Sequence, residues 1–145
     1  MTTIVWDGQR LYADTQITQE GAPKVNAKKL LVTEDGFLVG MAGVLKDCRR
    51  LLLWFRRGAN PAKVPEDLQA SLLVVTPVGR LLTVDSDGTV CELLDHRFAI
   101  GSGAQYALGA MAMDASGPEA IEVAMSFDPA TGGRVVSVGF EGSDL

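Results

Sequence analysis

The alternation of apolar and polar positions starts almost at the first residue. Thr3-Ile4-Val5-Trp6 is β-branched and aromatic and predicts a strand. Asp7-Gly8 is a hairpin turn signal, residues 9–13 are the returning strand, and Asp14 closes it. A second hairpin is expected from residues 28–32, turning at Glu34-Asp35-Gly36 and returning over residues 37–41. The period then changes from two to helical. Cys48, Leu51, Leu52, Trp54 and Phe55 form an apolar stripe within residues 47–57, with Arg49, Arg50, Arg56 and Arg57 off it. After a loop through Gly58-Ala59-Asn60-Pro61 to Pro65, strand signals recur at residues 71–76, 80–84, 89–93 and 98–100. Two helices follow, the second announced by Ser116-Gly117-Pro118-Glu119, which has capping-box spacing and an early proline. A last strand spans residues 134–140. Pattern alone gives a mixed α+β class with much antiparallel pairing.

The chemistry suggested by the first strand depends on its first residue. A chain opening Met1-Thr2 has a small second residue, so aminopeptidases are expected to remove Met1. Thr2 would then carry a hydroxyl nucleophile and a free α-amine able to act as its general base. Such an amine titrates near pH ~8, close enough to neutrality to accept a proton. A terminus paired into a sheet is held rather than frayed, as a catalytic amine requires.

Three ordered blocks carry a resemblance. The first is Thr2-Thr3-Ile4-Val5, Ala13-Asp14, Lys28-Lys29-Leu30 and Gly40-Met41-Ala42-Gly43, then a helix with Asp47. The second runs from Ala99-Ile100-Gly101-Ser102-Gly103 to Ala107, and the third is Asp128-Pro129-Ala130-Thr131-Gly132-Gly133 before a strand. Together they resemble the proteasome β-subunit family, with the bacterial HslV peptidase an especially similar member. The resemblance implies an N-terminal nucleophile (Ntn) hydrolase: one domain over residues 1–145, built as a four-layer αββα sandwich of two antiparallel sheets flanked by helices.

By the same resemblance, Thr2 matches the nucleophile, Lys29 the lysine beside its hydroxyl, and Asp14 the carboxylate that fixes that lysine. Gly43 matches the backbone N–H of the oxyanion hole. Ser102, Asp128 and Thr131 match polar positions around the N-terminal amine; Thr131 stands where serine is common. Thr18 falls beside the extended substrate, and Ile17, Ala27, Met41 and Leu45 fall on the pocket for the residue before the cleaved bond. The implied activity is threonine-type endopeptidase cleavage of peptides or unfolded proteins inside a homo-oligomeric ring, without metal or organic cofactor. An AAA+ unfoldase partner is typical for relatives. A catalytically silent ring subunit and a small-molecule Ntn amidase are the competing readings. One departure stands out: only about 14 residues separate Arg57 from Leu72, where the family carries a second long helix.

Each residue also has a plainer role. Only one of Lys28 and Lys29 can face a cleft, because adjacent strand residues point oppositely. Asp14 suits a strand-end turn, Gly43 a loop, Ser102 the N-cap of the helix after it, and Asp128-Pro129 an ordinary turn. Asp85-Ser86-Asp87-Gly88 lacks the later ligands of a calcium loop and reads as a hairpin turn. His96, the single histidine, reads as structural, and the Gly/Ala-rich run over residues 103–112 as a helix-packing surface. The net charge of −5 argues against a nucleic-acid partner. No apolar run is long enough to span a membrane, and no signal peptide is evident. Cys48 and Cys91 show no metal-ligand pattern and are expected as free thiols in the cytoplasm.

Overall fold

Each strand expected from the sequence forms in the computed structural model, which describes residues 2–17 and 25–145. β1 (Thr3–Trp6) and β2 (Arg10–Asp14) make the N-terminal hairpin. The Asp7 carboxylate closes its turn by accepting from Gln9 N and Arg10 N, both at 2.8 Å. A short pair, β3 (Gln16–Ile17) with β4 (Val25–Asn26), follows. A five-stranded sheet then builds up in sequence order: β5 (Leu30–Val32), β6 (Leu38–Gly43), β7 (Ala70–Val75), β8 (Leu81–Val84) and β9 (Val90–Leu93). The chain returns to the first hairpin through β10 (Phe98–Gly101), β11 (Val135–Gly139) and β12 (Gly142–Asp144), giving a second five-stranded sheet of order β10-β1-β2-β11-β12. All these pairings are antiparallel.

Strand alternation divides the interior into three apolar clusters. Ile4 and Trp6 point between the sheets with Leu11, Leu30, Leu38 and Leu73. Val5, one residue out of phase, points the other way into Ala107, Met111, Ala120 and Ile121 beneath α2 (Ala104–Ala112) and α3 (Gly117–Phe127). Val39, Met41 and Leu72 meet Cys48, Leu51 and Trp54 of α1 (Leu45–Arg56) on the far side of the other sheet. Burying a side chain such as Leu51 contributes roughly 1.5–3 kcal/mol. The result is the αββα layering. The two sheets approach closely at Gly40, where any Cβ would collide with Ile4 Cγ2.

Several local expectations need amending. α1 starts at Leu45, two residues early, because Val44 N is already tied to Gln69 O at 2.8 Å and the chain turns there. Ser102 does not cap α2; Gly103 is the N-cap, without a side-chain bond, and Ser102 is engaged elsewhere. The Gly/Ala-rich run packs closely as expected, through Ala107 and Met111 and with Gly103 set against Ala124 of α3, whereas Gly109 meets open space. His96 is exposed on the segment between β9 and β10. Between α1 and β7 the chain forms a 3-10 turn, Pro61–Lys63, in keeping with the short interval read from the sequence. The Ser116/Glu119 capping box and the Asp85–Gly88 hairpin turn also form as expected. The β3–β4 pair and β12 carry too few residues for a periodic signal.

Candidate active site

The polar residues of the interior gather at one end of the sandwich, around Thr2. Thr2 shares the face of Ile4 and Trp6, so its hydroxyl points toward the other sheet. There it donates to Asp14 Oδ1 and accepts from Lys29 Nζ at 2.6 Å. Lys29 Nζ also donates to Asp14 Oδ2 at 3.1 Å and to the Gln16 carbonyl at 2.5 Å. Lys29 is 3% exposed and Asp14 is fully buried. Lys28 is exposed. Burial pushes the Lys29 ammonium below the ordinary lysine range, and the Asp14 charge opposes this without cancelling it.

Asp14 is the hub that fixes this geometry. Its Oδ1 also accepts from Thr3 N at 3.1 Å, and its Oδ2 from Gly132 N at 3.0 Å. One carboxylate thereby binds the first strand, the lysine and the 128–133 turn. A buried ion pair survives when its remaining lone pairs are satisfied in this way.

A second group lies behind the Thr2 nitrogen. Thr2 N donates to Ser102 Oγ at 3.2 Å, and Ser102 Oγ donates to Asp128 Oδ2 at 2.6 Å. Thr131 Oγ1 donates to the same Asp128 oxygen at 2.6 Å. Its single proton being spent there, the 2.8 Å contact between Thr3 and Thr131 has Thr3 Oγ1 as the donor. Burial raises the Asp128 carboxyl, but the Ser102 and Thr131 hydroxyls and the Ala130 N–H outweigh it and hold the group below the usual range. Asp128 is therefore anionic at neutral pH, one hydroxyl away from Thr2 N.

Gly43 ends β6 at φ +120°, and a Cβ there would run into Gln69 O. Only glycine fits this backbone. Its neighbours face opposite edges: Met41 N donates to Lys29 O and Val44 N to Gln69 O, both at 2.8 Å. By alternation the Gly43 N–H points to the edge of Met41 and Lys29.

The expected pocket residues differ in burial. Ile17, Ala27 and Leu45 are half-buried, whereas Met41 packs at 6% exposure beneath α1. Thr18 lies outside the described residues. Three contributors escape a reading of the sequence: the Thr3 hydroxyl, the Gln16 carbonyl and the Gly132 N–H. The doubled threonine, whose second member must face opposite to the first, is a usable signal for Thr3. Backbone groups leave none. Among the described residues, no group of three or more His, Cys, Asp or Glu side chains could hold a metal, and no helix is long and apolar enough to cross a membrane.

No protein-family model matches the sequence, and no curated protein does. Solved structures do match. Eukaryotic HslV from Trypanosoma brucei aligns with a TM-score of 0.73 at 24% identity, over 94% of this chain and 97% of that one. With the layers and topology described above, this shows that the chain adopts the same αββα sandwich fold as that HslV.

Proposed function

We propose that this protein is a threonine peptidase whose nucleophile is Thr2, exposed by removal of Met1. The observation that carries this reading is the buried Thr2–Lys29–Asp14 cluster, with its 2.6 Å contact between ammonium and hydroxyl. Lys29 stabilises the alkoxide form of Thr2, and Asp14 keeps the lysine in place. The Thr2 nitrogen, an amide while Met1 is attached, becomes the α-amine that accepts the hydroxyl proton. Ser102, bonded to Asp128, orients that amine.

In this mechanism Thr2 Oγ1 attacks a peptide carbonyl, and the oxyanion forms against the Gly43 N–H. The C–N bond breaks, the amine carries its proton to the leaving nitrogen, and an ester remains on Thr2. Water activated by the same amine hydrolyses the ester and regenerates the hydroxyl. Peptide substrate lies extended along the edge of Gly43, and assembly into a ring would confine the sites. An intact polar cluster favours turnover over a silent structural subunit, which has no use for a buried lysine beside a buried hydroxyl.

The test is intact mass spectrometry before and after a threonine-directed β-lactone. Loss of one methionine mass with a single adduct, absent from Thr2→Ala, is the expected result. No adduct on a chain shown to begin at Thr2 would refute the assignment. A fluorogenic peptide panel addresses specificity. The apolar residues Ile17, Ala27, Met41 and Leu45 lead to a preference for hydrophobic residues before the cleaved bond; a preference for Arg or Asp would contradict it.

A further inference from the structure

Cys48 does nothing in the mechanism above, yet its side chain is fully buried next to the residues that carry Gly43. Its Sγ donates to the Ala42 carbonyl at 3.4 Å. Burial, with the neighbouring Asp47 charge, pushes the thiol up to about 11, so it stays an S–H donor at neutral pH. Ala42 O and Gly43 N belong to one peptide unit. That unit is planar and trans, so its C=O and N–H point in opposite directions. Anchoring the oxygen therefore aims the N–H.

The next peptide is braced independently. Asp47 Oδ2 accepts from Gln69 N at 3.0 Å, and Gln69 O accepts from Val44 N at 2.8 Å. Gly43, at φ +120° and lacking a Cβ, is the flexible point between these two anchors. The pairing of Ala42 with Ser71 holds the same peptide from the β7 side, so the thiol is a second hold on the last peptide before the chain leaves the strand at Gly43.

We infer that Cys48 is a positioning residue: its thiol, held on the first turn of α1, locks the Ala42–Gly43 peptide so that the Gly43 N–H faces the carbonyl attacked by Thr2. This rests on the peptidase reading. An oxyanion donor acts mainly in the transition state, so loosening it reduces kcat and leaves KM nearly unchanged.

The test uses the Met1-processed protein with Cys48→Ala, Cys48→Val and Cys48→Ser. Alanine removes the donor; valine removes it while filling the space; serine keeps a hydroxyl donor. The expected result is a fall of roughly ten- to a hundredfold in kcat for alanine and valine, with KM within about twofold. Serine should recover most of the loss. Inhibition by a peptide aldehyde, whose hemiacetal oxygen occupies the same hole, should weaken in parallel with kcat. A non-reactive peptide of the same sequence should bind unchanged. Wild-type kcat in Cys48→Val, a loss confined to KM, or serine no better than alanine would overturn the inference. If valine prevents folding, the alanine–serine comparison decides by itself. An active wild type with unaffected Cys48 variants removes this inference alone, whereas a wild type with Thr2 exposed and no hydrolysis removes the peptidase reading with it.

Discussion

Thr2→Ala yields a folded protein with no measurable peptide hydrolysis. The substitution deletes one hydroxyl that bonds Asp14 and Lys29, and keeps the strand pairing of β1. Asp14 and Lys29 still hold each other, so neither buried charge is orphaned. A stability loss of roughly 1–3 kcal/mol is expected from the missing charge-assisted bonds, well short of unfolding a domain of this size. Activity, by contrast, has no replacement nucleophile within this cluster. Progress curves with a cleavable peptide, together with urea denaturation, separate the two effects. Turnover at the wild-type rate would place the nucleophile elsewhere.

Lys29→Ala is the second large effect, and here activity and stability fall together. Removing the ammonium leaves Asp14 buried without its counter-charge, which typically costs about 3–5 kcal/mol. The backbone N–H groups of Thr3 and Gly132 still bond that carboxylate and place the loss toward the lower end. The alkoxide also loses its stabilising charge, and kcat drops by about 10²–10³. Lys28→Ala, on the exposed neighbour, should change stability by no more than about 0.5 kcal/mol and leave kcat alone. If the two lysines behaved oppositely, the active lysine would be Lys28. The pH profile carries the same signature. Turnover rises as the α-amine, whose ordinary range in peptides is near pH ~8, loses its proton. It falls again when Lys29 deprotonates, and because burial lowers that transition, the alkaline limb lies below the ordinary lysine range. Measuring kcat/KM against pH should therefore give a bell.

These residues were not equally legible in the sequence. Thr2, Asp14 and Lys29 were located through the family resemblance, each lying at or beside the end of a predicted strand. Alternation required a choice between Lys28 and Lys29, and the structure buries Lys29 against Thr2. Ser102 and Thr131 were visible through glycine-rich turns, although the sequence equally allowed Ser102 to be an ordinary helix cap. The helix stripe of Cys48, Leu51 and Trp54 was plain from its period. What could not be read is carried by backbone atoms or by long-range pairing. The Gln16 carbonyl under Lys29 has no residue code, and neither does the Gly132 N–H on Asp14. The contact of Cys48 with Ala42 depends on how a helix start folds back on the strand before it, six residues earlier.

The burial of Thr2 also sets a deadline. Its residue is 1% exposed, and its nitrogen, half of the Met1–Thr2 bond, is bonded to Ser102. An exopeptidase needs that bond in an extended, accessible chain. β1 becomes enclosed only when β10 pairs along it, Thr3 opposite Gly101, nearly a hundred residues later in synthesis. At ribosomal speeds of about 5–20 residues per second, the interval is on the order of 5–20 s. On the proposed threonine-nucleophile reading, maturation is thus a race between methionine excision and sheet closure. The order of strands along the chain, with the partner of the first strand made late, gives excision its head start.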